Sequence, residues 1–327
     1  MRPGLAISTA CPTSFGRSHA EIGGARARRT DADRISQRRS SVTDISLDNA
    51  GVRLAASVDG PVDGEPILFL HGLSLSRDTW QEIGDRLRDR YRVWTLDFRG
   101  HGHSDRAASY ALADYVSDAQ TALAAIGRPA VIVGHSLGGC VAGVLAQRGD
   151  ADVRGAFLED PPWYLGQPGE WEKSAFPKLF SIVSARQAAW QQARAPFGTY
   201  LAFVADSPTP MGGIGRDHFG ARHLLSHASA LQRQDGRCWA DGDVAGSVLA
   251  AIPTEREFLC PVKIVQADPG CGAAFLRDHD ARLAHANPRA DIVRYAGCGH
   301  SPHRAIAFEQ RFTADLQTFL SSLQSGT

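Results

Sequence analysis

Ala130-Val-Ile-Val133 runs straight into Gly134-His135-Ser136-Leu137-Gly138, and an amphipathic stretch follows to Arg148. Four apolar residues in a row suit a strand buried on both faces. A turn sharp enough to enter a helix directly from such a strand strains its central residue, and flanking glycines remove the clashes that Cβ atoms would cause. The Ser136 hydroxyl then projects at a helix N-terminus, where free N–H groups and the macrodipole favour a developing anion.

The same rhythm extends in both directions. Pro66–Leu70, Val93–Leu96, Val153–Leu158, Val262–Ala267 and Asp291–Tyr295 are short apolar runs, and Asp44–Val58 alternates around Asn49-Ala50-Gly51 as a hairpin would. Amphipathic stretches at Trp80–Arg88, Leu112–Ile126, Leu137–Arg148, Ala274–His285 and Ala305–Leu323 separate the runs. The alternation predicts an α/β fold, an open, mostly parallel sheet covered by helices on both faces. It breaks between Asp160 and Cys260, where about a hundred residues hold Trp163, Tyr164, Trp171, Trp190, Tyr200 and Trp239 but no clean strand. A helical insertion over the carboxyl edge of the sheet, the place where ligands bind in such folds, accounts for it.

Of the 327 residues 43% are hydrophobic and 21% charged, and 35 basic side chains balance 35 acidic ones. That balance excludes a disordered or fibrous chain and gives no electrostatic reason to expect nucleic acid. No stretch approaches the length of a membrane span. The six scattered cysteines read as free thiols in a reducing, cytoplasmic setting. Residues 1–41 carry eight Arg and three acids with no apolar period, and read as a disordered, dispensable tail. The remaining divisions are 42–160 and 259–327 for the sheet and 161–258 for the insertion.

Further motifs lie at strand ends. After Pro66–Leu70 comes His71-Gly72-Leu73, whose exposed backbone can supply an oxyanion donor; the Leu73 and Leu137 amides are assigned that role, and His71 is read as a structural hydrogen bonder. Asp97-Phe98-Arg99-Gly100-His101-Gly102-His103-Ser104 reads as a tied-down loop, since a metal at His101 and His103 lacks further ligands. Gly297-Cys298-Gly299-His300 places a histidine on a flexible turn, as a general base requires, with His303 the neighbouring alternative. Neither a ligand cluster nor a phosphate loop is evident, so no metal and no cofactor is expected.

Together, in this order, these residues resemble the α/β-hydrolase fold family over residues 43–325. The resemblance implies Ser136 as nucleophile, His300 as base and a helical cap at 161–258. Most of that family places the acid after strand seven in a Gly-x-x-Asp pattern. Here Ala267-Asp268-Pro269-Gly270 puts glycine where the Asp is expected. A minority, including many haloalkane dehalogenases and zearalenone-type lactonases, places it after strand six, which here ends Leu158-Glu159-Asp160. The candidates are ordered Glu159, Asp160, Asp268. Dehalogenation needs an Asp nucleophile, which Ser136 is not.

The expectation is a serine hydrolase, monomeric or homodimeric, acting on a small ester or lactone. An aromatic cap favours an apolar substrate, with Trp163, Tyr164 and His135 as binding residues. Cleavage of a carbon–carbon bond beside a ketone, perhydrolysis, acyl transfer, or a ligand receptor with little turnover are the alternatives.

Overall fold

The computed structural model describes residues 42–240 and 244–324. The expectation for the tail, 1–41, lies outside them. Eight strands, β1 (Thr43–Asn49), β2 (Val52–Asp59), β3 (Glu65–Leu70), β4 (Tyr91–Leu96), β5 (Ala130–His135), β6 (Val153–Glu159), β7 (Val262–Gln266) and β8 (Asp291–Arg294), form one sheet. Their order is β1-β2-β4-β3-β5-β6-β7-β8. The β1–β2 hairpin and the β2–β4 pair are antiparallel; the other neighbours are parallel, as continuous apolar runs demand.

Each face of the sheet has its own apolar layer. Helices α1 (Gln81–Leu87) and α8 (Glu309–Gln324) bring Ile83, Leu87, Phe312, Leu316 and Leu320 onto Ile67, Phe69, Val133 and Phe157. On the other face α2 (Leu112–Ile126), α3 (Leu137–Ala146) and α7 (His279–Ala286) cover Leu68, Leu70, Ile132, Ala156 and Leu158. Alternation along β6 is therefore explicit: Phe157 faces α8, while Ala156 and Leu158 face α3.

Between β6 and β7 the chain forms α4 (Phe176–Gln192), α5 (Phe197–Asp206) and α6 (Ala221–Arg233), with shorter turns between them. These helices group with the sheet in a single compact unit, Ser40–Thr327. Two helices start later than the sequence pattern predicts. The Ala274 and Phe275 amides donate to the Asp160 carboxylate, which holds that stretch as a loop, so α7 begins at His279. Ala305 bridges Phe219 of the insertion, so α8 begins at Glu309.

Candidate active site

Ser136 sits where β5 meets α3, with φ 53° and ψ −114°. Its neighbours allow nothing larger than hydrogen at two positions. A Cβ on Gly134 would lie 2.1 Å from the Gly138 carbonyl oxygen, and one on Gly138 would lie 2.2 Å from that of Leu70. The turn is pinned by Ser136 N donating to Glu159 O at 2.9 Å and by Gly138 N donating to His71 O at 3.1 Å. As the first residue of α3, Leu137 has an amide with no acceptor within the helix.

His300 follows β8 on its glycine turn. Its Nδ1–H donates to Asp160 Oδ2 at 2.6 Å, which leaves the lone pair on Nε2. Asp160 is fully buried and has left the strand at φ 41°. Its carboxylate also accepts the amides of Ala267 at 3.2 Å, Ala274 at 2.7 Å and Phe275 at 3.2 Å. Four donors fix both oxygens, so the imidazole meets an acceptor that cannot rotate away.

The expected pairing of Glu159 with His300 does not form. Glu159 is the last residue of β6 and shares the face of Phe157, toward α8. There its Oε1 accepts the His303 amide at 2.7 Å, and its Oε2 lies 2.6 Å from His303 Nδ1. His303 Nε2 is 2.8 Å from Thr79 Oγ1, and the ring stacks on Trp80 at 4.1 Å. Both side chains are sealed from water. Burial pushes the Glu159 carboxyl well up and the His303 imidazole well down, so one proton lies between them with little charge separation. Asp268 holds a loop: its carboxylate accepts the amides of Gly270 at 2.8 Å and Gly297 at 2.7 Å, and the Gly297 bond draws its pKa down.

His135 lies against His300, the rings 4.7 Å apart, and its Nε2 is 3.0 Å from the His300 carbonyl oxygen and 3.2 Å from Ser301 Oγ. Burial and the neighbouring histidines hold it well below the usual imidazole range, so it is neutral and steadies the His300 turn. His71 accepts the Phe98 amide at Nε2 and donates Nδ1–H to the Gly72 carbonyl. Trp163 and Tyr164, expected to touch substrate, are core residues. Trp163 packs on Gly143 and Phe258, and Tyr164 on Phe275, His279 and Arg282.

A cavity of about 250 Å³ joins Gly72, Leu73, His135, Ser136 and His300 to the insertion's Phe176, Phe180, Phe203, His227 and Trp239, with Arg304 also in its wall. The Phe176 ring lies 4.9 Å from that of His300. Gln234 ties down the turn after β3, its Nε2 donating to the Leu73 carbonyl at 2.6 Å. The sequence reading missed Phe176, Phe180, Gln234 and Arg304, because nothing local marks which residues of a helical insertion meet a distant strand end. Glu82, His223 and Glu309 bring potential metal-ligand atoms within 4.8 Å of one another, between α1, α6 and α8. Arg86 already pairs with Glu309 and Arg222 with Glu82, so those carboxylates have cations of their own.

Comparison with known proteins agrees with this architecture. A model of the alpha/beta hydrolase family matches residues 67–310. A 2-(acetamidomethylene)succinate hydrolase of Mesorhizobium japonicum is 34% identical over 258 residues, 76% of this chain and 86% of that protein. A non-heme chloroperoxidase of Streptomyces lividans is 31% identical over 180 residues, 52% of this chain and 64% of that one. The chain spans 64%, 44% and 40% of the length of the first three curated relatives it matches. Among solved structures, an E-2-(acetamidomethylene)succinate hydrolase superposes with a TM-score of 0.66 at 20% identity, covering 86% of this chain and 99% of that chain. Among the described residues no helix is long and apolar enough to cross a membrane.

Proposed function

The chain belongs to the alpha/beta hydrolase family, and from that premise we propose that it is a serine hydrolase cleaving a carboxylic ester or lactone through an acyl-enzyme. Two features carry the reading together: Ser136 held at positive φ at the head of α3, and the 2.6 Å His300–Asp160 hydrogen bond at the same cavity. His300 Nε2 takes the proton as Ser136 Oγ attacks the acyl carbon, and returns it to the leaving oxygen. Asp160 keeps the imidazole in the tautomer with its lone pair on Nε2 and stabilises the imidazolium once it forms. The Leu73 and Leu137 amides receive the negative charge of the tetrahedral intermediate, a contribution of about 2.7–4 kcal/mol for each such donor in well-studied cases. Water, activated by the same histidine, releases the acid.

The acid in this reading is Asp160, not Glu159. Residues 161–258 serve as the cap, whose Phe176 and Phe180 make the wall facing His300 apolar and exclude bulk water. The experiment is hydrolysis of 4-nitrophenyl acetate by the native protein and by Ser136→Ala, with a fluorophosphonate probe as the covalent check. Turnover and labelling by the native chain alone supports the reading. Labelling of some other residue, or turnover surviving in Ser136→Ala, refutes it. A panel of esters, lactones and vinylogous diketones, with peroxide as an alternative nucleophile, separates ester cleavage from carbon–carbon cleavage and perhydrolysis.

A further inference from the structure

Arg304 follows His300 by four residues and is 3% exposed. A guanidinium taken this far from water ordinarily has a carboxylate opposite it. Among the described residues this one has none. Its Nη2 donates to the His223 carbonyl and to His227 Nδ1, both at 3.2 Å, and its Cζ stands 4.9 Å over the Phe219 ring. Its Nε is buried with no hydrogen-bond partner among the described residues. Glu159 does not serve it as a counterion, because that carboxyl is bonded to the His303 amide and ring. Burial draws the guanidinium down to about 10, so it remains a cation at neutral pH. Burial and Arg304 together hold the His227 imidazole well below its usual range, so it is neutral there and supplies an acceptor but no counter-charge.

The position of this cation gives it a use. Arg304, His227 and Phe219 line the same cavity as Ser136 and His300. A planar fork of donors with unspent hydrogens, set in an apolar wall, matches the geometry and charge of a carboxylate. We infer that Arg304 receives a carboxylate of the substrate, so that the bond cleaved at Ser136 belongs to a small acid and not to a neutral ester. The inference rests on the hydrolase reading of the site, and it replaces the neutral, apolar substrate that the cap aromatics alone imply.

Two isosteric pairs test it on the full-length protein. One is 4-nitrophenyl hydrogen succinate against 4-nitrophenyl 4-methylpentanoate, with the charge on the acyl side. The other is 4-carboxyphenyl acetate against 4-isopropylphenyl acetate, with the charge on the leaving group. For at least one pair, the ratio of kcat/KM for the acid to that for its neutral partner is expected to fall by about 10- to 100-fold in Arg304→Met, the worth of a hydrogen-bonded charge. An equal fall for both partners means that Arg304 only supports the fold, and overturns the inference. So does a ratio that does not change. Should Arg304→Met fail to fold, Arg304→Lys keeps a charge without the fork and is expected to lose about tenfold of the ratio; an unchanged ratio again overturns the subsite.

Failure of the hydrolase reading shows differently, as no turnover of any of the four esters. Calorimetric titration of Ser136→Ala with monomethyl succinate then reads the subsite alone. Saturable binding that disappears in Ser136→Ala/Arg304→Met upholds it, and no binding in Ser136→Ala overturns it.

Discussion

Glu159 and Asp160 are adjacent in sequence, both fully buried, and each holds a histidine at 2.6 Å. In the reading proposed above the two pairs do different work. Asp160 has four donors around it and a histidine at the edge of a cavity, with a serine on the same wall. Glu159 faces the other side of the sheet, where Trp80 and Thr79 enclose His303, and neither partner lines the cavity that holds Ser136. A carboxylate–histidine pair is thus not a catalytic signature by itself. Access to the cavity and to Ser136 separates the two, and the pleat of a single strand assigns each carboxylate to its side.

The contrast is sharpest in activity. Asp160→Asn is expected to lower kcat by about 10³–10⁴, because the amide either turns the imidazole to the wrong tautomer or withdraws from it. Thermal melting of the same variant checks that the loss is chemical and not a loss of fold. Glu159→Ala is expected to do the reverse, costing about 2–3 kcal/mol of stability by leaving the neutral His303 ring and amide unpaired in the core while folded protein keeps most of its kcat. Chemical denaturation reads the first quantity and ester turnover the second. Glu159→Gln refines the comparison. With a neutral His303 the Gln amide can donate to Nδ1 and accept the backbone N–H, so a loss under about 1.5 kcal/mol is expected. A loss as large as that of Glu159→Ala would show instead that the pair is an ion pair.

Acid should destabilise the fold through its buried histidines. His71, His135 and His227 are all held well below the ordinary imidazole range by burial. The unfolded chain therefore binds protons that the folded chain refuses. Stability is whole above pH ~6.5, and each such histidine costs about 1.4 kcal/mol for every unit of pH below that point. Asp97, raised by burial to about 6, acts in the opposite sense but only between its ordinary value and 6. Melting temperature is expected to fall steeply from pH 6.5 to 5, and a flat profile across that range would contradict the burial of these rings as neutral species. The smallest effect belongs to the third acid. Asp268→Asn is expected to cost about 1 kcal/mol or less, since Asn retains one of the two acceptors for Gly270 and Gly297, and to leave kcat close to native.

Strands and the serine turn were legible because they are local: four buried apolar residues and two glycines around Ser136 specify a strand, a turn and a helix without distant partners. His300 was legible for the same reason, on its own glycine turn. The acid was harder. Alternation from Phe157 does place Glu159 and Asp160 on opposite sides, but it does not say which side carries His300, since that depends on where the chain after β8 crosses the sheet edge. The later start of α7 was not legible either, because an amphipathic pattern at 274–278 yields to a carboxylate more than a hundred residues earlier in the chain. Arg304 lay hidden in the same way: that no carboxylate among the described residues pairs with it, and that its Nε is left without a hydrogen-bond partner there, are three-dimensional facts.

The measurement that bears most directly on the central claim is the rate at which a fluorophosphonate modifies Ser136 in the native protein, in Asp160→Asn and in Glu159→Gln, read by mass spectrometry of the peptide that carries it. This reports activation of the serine without any assumption about substrate. The expected result is rapid modification of Ser136 in the native protein, a rate of the same order in Glu159→Gln, and a rate about 10³-fold lower in Asp160→Asn. Fast modification in Asp160→Asn together with a collapse in Glu159→Gln would contradict the account and return the acid to the other side of the strand.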